Sequence, residues 1–206
     1  MTVHPVIDLL AELVRQPSIN PEHLNKEQIP TERQAQYGEA TMADCVERHF
    51  TPLPVTVTRS DVQPGRPNVE IRLAGADRQA PALLLEAHMD TVDIVDMEAP
   101  FEPQIRDGRL YGRGSCDTKS SLAAMMQAVI ECAREGLVPP RDVILLAACD
   151  EEYQHSGIVE FCRRQSSIWG AIVGEPIELA IIPAHKAQHY FRIVASGLAA
   201  HTSTPQ

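Results

Sequence analysis

Six consecutive apolar residues, Val143 to Ala148, follow a Pro139-Pro140 pair and run into Asp150-Glu151-Glu152. A run this short, with no polar alternation, reads as a strand covered on both faces, and such strands occur in sheets sandwiched between helices. Two other runs share the design. Leu83-Leu84-Leu85 leads to His88 and Asp90, and Ala171-Ile172-Val173 leads to Gly174-Glu175-Pro176. Helical patterns lie between them. Leu122, Met125, Met126, Val129, Ile130 and Ala133 form one apolar face, with Thr118 or Ser120 able to cap its start and Gly136 to stop it. A second helix fits Ser156 to Arg164. Strand, helix, strand, helix, strand predicts an α/β fold whose mixed, mostly parallel sheet is flanked by helices.

The flanking segments add less. Val6, Leu9, Leu10, Leu13 and Val14 have the spacing of an amphipathic helix closed by Pro17. Residues 18–33 read as a polar loop, and a second helix is expected from about Glu32 to Phe50. Asn68 to Leu73 alternates as a half-exposed strand, and Gly75 and Asp77 turn the chain toward Leu83. From Leu179 onward the texture changes. Leu179 to Ile182 and Tyr190 to Val194 look like strands, and the ending through His201 to Gln206 reads as the opening of a second domain.

Composition excludes several classes of function. With 44% hydrophobic and 22% charged residues, the chain is of ordinary globular type. A formal charge of −10 with scattered arginines argues against nucleic acid or an anionic membrane as partner. The five cysteines form no C-x-x-C pair and no disulfide framework, so free thiols in a reducing compartment are expected. The N-terminus lacks a basic, then continuously apolar, leader, and no apolar run reaches the roughly 20 residues of a membrane span. A cytoplasmic protein is the expectation.

The chemistry lies at the strand ends, where ligands bind in such sheets. His88 and Asp90 are two apart on a strand end, so imidazole and carboxylate can meet, and a metal-bound histidine needs a partner that fixes its tautomer. Singly, each feature has a plainer reading. His88-x-Asp90 can be a structural hydrogen bond, Asp117 a helix N-cap, Asp150-Glu151-Glu152 a solvated turn and Glu175-Pro176 a simple turn. Together, one histidine and several carboxylates at strand ends suit a two-metal hydrolytic site, its ions about 3.5–4 Å apart around a shared carboxylate. Asp117 is the natural bridge because the Gly112-Arg113-Gly114 loop lets backbone approach the ions. Of Glu151 and Glu152, one can ligate while the other takes a proton from water. The loop lacks the third glycine of a dinucleotide fingerprint and the spacing of a P-loop, and no G-x-S-x-G is present.

Five segments carry a resemblance: Ala87 to Val92, Gly112 to Lys119, Asp150 to Glu152, Gly174 to Pro176 and Gly197 to Pro205. Their order and spacing resemble the M20 family of co-catalytic zinc metallopeptidases, most closely its acetylornithine deacetylase and succinyl-diaminopimelate desuccinylase branch. The resemblance implies a zinc-peptidase-like catalytic domain over 1–185 and the beginning of an α+β lid and dimerisation domain over 186–206. It implies two Zn2+ ions, with Co2+ or Mn2+ as substitutes. His88 and Glu175 would hold one ion and Glu152 the other, with Asp117 bridging and joined to Thr118 by a cis peptide bond. Asp90 would orient His88, and Glu151 would be the general base for attack by metal-activated water. His201 would reach a partner subunit's site and hold the oxyanion, which makes a homodimer the expected assembly.

The chain departs from the family pattern at Ala87 and Ser120, where glycine is common, and in having no counterpart of the last histidine ligand. The resemblance therefore implies the N-terminal part of a chain of about 350–450 residues, a two-domain length. The expected substrate is an N-acyl amino acid. The alternatives are a di- or carboxypeptidase acting on short peptides, or a non-catalytic metal-binding paralogue.

Overall fold

The computed structural model describes residues 4–23 and 29–184. Their elements are α1 (Pro5–Val14), α2 (Ala40–Phe50), β1 (Thr56–Gln63), β2 (Arg66–Leu73), β3 (Ala82–His88), β4 (Gln104–Arg106), β5 (Arg109–Tyr111), α3 (Lys119–Arg134), β6 (Val143–Ala148), α4 (Ser156–Arg164) and β7 (Ile168–Val173). The chain divides into two units, 1–176 and 177–206. The first holds every helix and strand just named.

The main sheet has the order β1-β2-β6-β3-β7. Its β1-β2-β6 half is antiparallel, and its β6-β3-β7 half is parallel. Burial on both faces explains the unbroken apolar character of β6. Leu145 and Ala147 join the core beneath α1, α2 and α3, together with Val69, Ile71 and Ala87. Ile144, Leu146 and Ala148 face the other way, packing with Ala82, Leu84 and Phe161 of α4. The sheet is thus a middle layer between helices.

Register brings the strand ends level. His88 pairs with Ala148 across β3 and β6, and Met89 N–H continues the ladder to Ala148 O at 2.7 Å. On the other side Glu86 pairs with Val173, and Gly174 N–H reaches Glu86 O at 2.8 Å. The residues following β3, β6 and β7 therefore emerge at one edge.

Several expectations need correction. The helix expected over 32–50 is split, because Tyr37 is extended and Gly38 has φ +83°. A 3-10 turn spans Thr31–Gln36, and α2 starts only at Ala40. Thr118 does occupy the N-cap of α3, but its hydroxyl donates to Gly174 O at 2.7 Å and makes no cap bond. The run Ala171 to Val173 extends to Ile168 and forms an edge strand, so Trp169, Ile172 and Val173 are exposed instead of covered. In the second unit, residues 179–182 form no strand; Glu178 and Leu179 have positive φ, and Ala180 N–H turns back to Ile177 O. Tyr190 to Val194 and the expected lid opening at 186–206 lie outside the described residues. All five cysteines are free thiols, and no described helix is long and apolar enough to cross a membrane.

Asp142, at the entry to β6, fastens the β2–β3 connection. It accepts from Gly75 N–H (2.8 Å) and Arg72 Nη1 (3.1 Å), and lies 3.0 Å from Arg78 Nε. Burial would raise its pKa, but the Gly75 amide and then the two guanidinium groups outweigh burial and hold it below the ordinary range. The unfolded chain then takes up the proton first on acidification. The stabilisation is complete above the unfolded value of about 3.9 and is lost as the pH falls through the folded one. Asp142→Asn is expected to cost about 1 kcal/mol at pH 7, and the difference from wild type to shrink on acidification, measured by urea unfolding.

Candidate metal centre

Four segments build the site, the last being the stretch after β7 that carries Glu175. The end of β3 supplies His88, almost fully buried, with Nδ1 hydrogen-bonded to the backbone carbonyl of Asp90 at 2.9 Å. That bond fixes the ring and leaves Nε2 facing Asp117 Oδ1 at 3.1 Å and Glu151 Oε2 at 3.7 Å. The Asp90 carboxylate is 3.6 Å from His88 Nδ1, and its closest contacts lie elsewhere. It accepts from Asn20 Nδ2 (2.7 Å) and from the backbone N–H groups of Glu151 (3.0 Å) and Glu152 (3.1 Å). One buried carboxylate thus locks the turn that presents both glutamates.

The loop before α3 supplies Asp117, whose peptide bond to Thr118 is cis. Gly114, at φ +80°, turns this loop so tightly that Lys119 N–H reaches Gly114 O at 3.0 Å. Lys119 is fully buried and anchors the loop, its Nζ donating to the carbonyls of Leu13 (3.2 Å) and Gln16 (2.7 Å) at the end of α1. The Thr118 hydroxyl ties the same loop to Gly174, just before Glu175.

The turn after β6 supplies Glu151 and Glu152. Its first residue, Asp150, is fully buried and has φ +62°. Asp150 accepts from Asn20 Nδ2 (3.0 Å), Arg66 Nη1 (2.9 Å) and the Ser156 hydroxyl, and its N–H donates to Glu39 Oε1 at 3.1 Å. Helix α4 begins hard against this turn. A Cβ on Gly157 would stand 2.4 Å from Cys149 O, so a side chain there would push the helix away.

Side-chain donors converge in two overlapping groups, His88 with Glu151 and Glu175, and His88 with Asp117 and Glu152. In each group one ligand atom per residue lies within 4.8 Å of the others. Burial, followed by Asp117, Asp90 and Glu151, pushes Glu152 up to about 7, and burial and its acidic neighbours also raise Glu175. His88 is lifted to about 11 because Asp117, Asp90 and Glu151 outweigh the burial of its ring. Asp90 stays below the ordinary range, since His88, Asn20 and the Glu151 amide outweigh its burial. Among the described residues no lysine or arginine pairs with Asp117, Glu151, Glu152 or Glu175. One imidazole and crowded carboxylates lacking a lysine or arginine partner fit divalent ions of the zinc, cobalt or manganese class.

The structure therefore brings together His88, Asp90, Asp117, Glu151, Glu152 and Glu175, while His201 lies outside the described residues. Asn20, Glu39 and Arg66, which frame the site from behind, carried no motif. Nor did His155, whose Nδ1 is 3.4 Å from Glu151 Oε1, or Glu86, a buried carboxyl pushed up to about 7 by its burial.

The model of Peptidase family M20/M25/M40 matches residues 84–188, just over half of the chain. The chain belongs to this peptidase family. The match takes in His88, Asp117, Glu151, Glu152 and Glu175 and excludes Asn20, Glu39 and Arg66. Among M20 relatives, a probable succinyl-diaminopimelate desuccinylase of Staphylococcus epidermidis is 36% identical over 132 residues, which are 61% of this chain and 33% of that protein. An M20 domain-containing protein of Schizosaccharomyces pombe is 37% identical over 126 residues, covering 60% and 30%. The chain thus spans about a third of the length of these relatives. Human carnosine dipeptidase 1 has the same fold, with a TM-score of 0.63 at 21% identity over 82% of this chain and 38% of its own. So does an aminopeptidase of Bacillus cereus, with a TM-score of 0.60 at 22% identity over 82% and 42%.

Proposed function

We propose that this M20 chain is the N-terminal part of a dinuclear metal amidohydrolase that removes an N-acyl group from an amino acid. The observation that carries the reading is the gathering of His88, Asp117, Glu151, Glu152 and Glu175 in two overlapping groups of ligand atoms. The acyl-amino-acid substrate rests on the likeness to the probable succinyl-diaminopimelate desuccinylase of Staphylococcus epidermidis. In this reading His88 and Glu175 would hold one ion and Glu152 the other, with Asp117 available to both. When bound, the ions lower the pKa of a water and polarise the scissile carbonyl. Zinc is the expected metal, with cobalt or manganese able to replace it.

The chain's own groups do the rest. The Asp90 carbonyl holds His88 Nδ1, which keeps Nε2 directed at the carboxylates. The Asp90 carboxylate holds the amides of Glu151 and Glu152, so both glutamates keep their positions. Glu151 takes a proton from water on a carboxylate oxygen and passes it to the departing amine nitrogen. The same proposal extends to a catalytic domain over 1–185, a lid beginning at 186–206, His201 as oxyanion donor, dimerisation through the lid and action in the cytoplasm.

The test is hydrolysis by the full-length protein of N-succinyl and N-acetyl amino acids beside dipeptides, with and without a chelator. Turnover of acyl amino acids that disappears with the chelator is the expected result. Turnover of dipeptides alone would make the protein a peptidase, and no turnover of either would make it a non-catalytic relative.

A further inference from the structure

A second cluster of ligand-type side chains joins α1 to α2 and shares no residue with the metal centre. Cys45 and His49 are four apart on α2, so they lie on one face of that helix, and Glu12 reaches them from the last turn of α1. Cys45 Sγ is 3.5 Å from Glu12 Oε1, and His49 Nε2 is 3.1 Å from Glu12 Oε2. One sulfur, one ring nitrogen and one carboxylate oxygen all lie within 4.8 Å of one another.

With bonds of about 2.3 Å to sulfur, 2.0–2.1 Å to nitrogen and 2.0–2.2 Å to oxygen, a zinc tetrahedron has an S···O edge of about 3.6 Å and an N···O edge of about 3.4 Å. The two short contacts run to different oxygens of Glu12, so its carboxylate has to turn one oxygen toward both partners for a single ion to sit among them. Room for a fourth ligand exists as well. Asp8, Glu12, His49, Gln127 and Arg134 line a cavity of about 210 Å3, and Asp8 stands one turn before Glu12 on α1. The competing contact, Arg48 Nη2 to Glu12 Oε1 at 3.4 Å, comes from a side chain that is 59% exposed and free to swing into solvent.

We propose that Glu12, Cys45 and His49 bind a zinc ion that clips α1 to α2, with the fourth position open to the cavity for water. Binding breaks the Cys45 S–H bond and forms a sulfur–zinc bond, the proton passing to the buffer. The two positive charges of the ion are met by the Cys45 thiolate and the Glu12 carboxylate. The ion's role is to hold two helices together, and the proposal stands apart from the hydrolase reading.

Cobalt(II) is the probe, because a thiolate ligand gives a sulfur-to-cobalt charge-transfer band in the near ultraviolet. None of the residues assigned to the M20 metal centre is a cysteine, so the band reports the second site. The full-length protein titrated with cobalt(II) is expected to show the band, and Cys45→Ser to lose it. Cys116→Ser is expected to keep it, which separates the site from the exposed thiol beside Asp117. His49→Asn, at a partly exposed position, is expected to weaken cobalt binding at this site by more than about 100-fold, since even outer-shell partners are worth about 10–100-fold. No band in the wild-type protein, a band that survives Cys45→Ser, or unchanged affinity in His49→Asn would each overturn the proposal.

Discussion

Glu151→Gln in the full-length protein is expected to lower kcat by about 100- to 10,000-fold, the range a positioned general base contributes, while the metal content stays at the wild-type level. The structure makes this a sharp test, because Glu151 can be read in two ways. Its carboxylate lies within ligand distance of His88 and Glu175, so it could hold an ion instead of moving a proton. Glutamine keeps the shape and loses the basicity. If Glu151 is the base, elemental analysis finds the metals in place in an inactive protein. If metal is lost together with activity, Glu151 is a ligand and the base must be sought elsewhere. A KM close to that of wild type would further separate loss of proton transfer from loss of substrate binding.

Arg66→Met is expected to cost about 3–5 kcal/mol in urea unfolding, the penalty for leaving buried charges without their partner. Arg66 is nearly buried, and Glu39 and Asp150 are fully so. The guanidinium grips Glu39 with Nε (2.9 Å) and Nη2 (2.6 Å), while Nη1 reaches Asp150 at 2.9 Å. Burial raises the Glu39 pKa above its ordinary range despite the guanidinium beside it. Lysine cannot make three planar contacts at once, so Arg66→Lys is expected to recover only part of the loss. A cost below about 1 kcal/mol for Arg66→Met would mean that water or a backbone shift satisfies both carboxylates, and the buried network would lose its place in the account.

The contrast between Glu151 and Arg66 shows which parts of the centre the sequence made legible. Glu151, Glu152 and Glu175 could be placed because each closely follows an apolar run, and strand ends in a parallel half-sheet share one edge. Arg66 and Asn20 could not. Their partners lie 84 and 70 residues away in the chain, at Asp150 and Asp90, and no local pattern encodes such contacts. Asp150 has no role of its own in the sequence motif, yet it is the buried post on which the turn is built. The sheet was read from its central strands, whose apolar character is strong. Strand β1 is mostly polar and half-exposed and has no such signature. The strand β7 is apolar yet exposed among the described residues. Residues 179–182 illustrate the same limit, since an apolar run without a pairing partner need not become a strand.

The most direct test of the central claim is a zinc-edge anomalous difference map from crystals of the full-length protein. Two peaks that share Asp117 are expected, one also touching His88 and Glu175 and the other Glu152. A single peak there, or two peaks without Asp117 between them, would contradict the dinuclear centre.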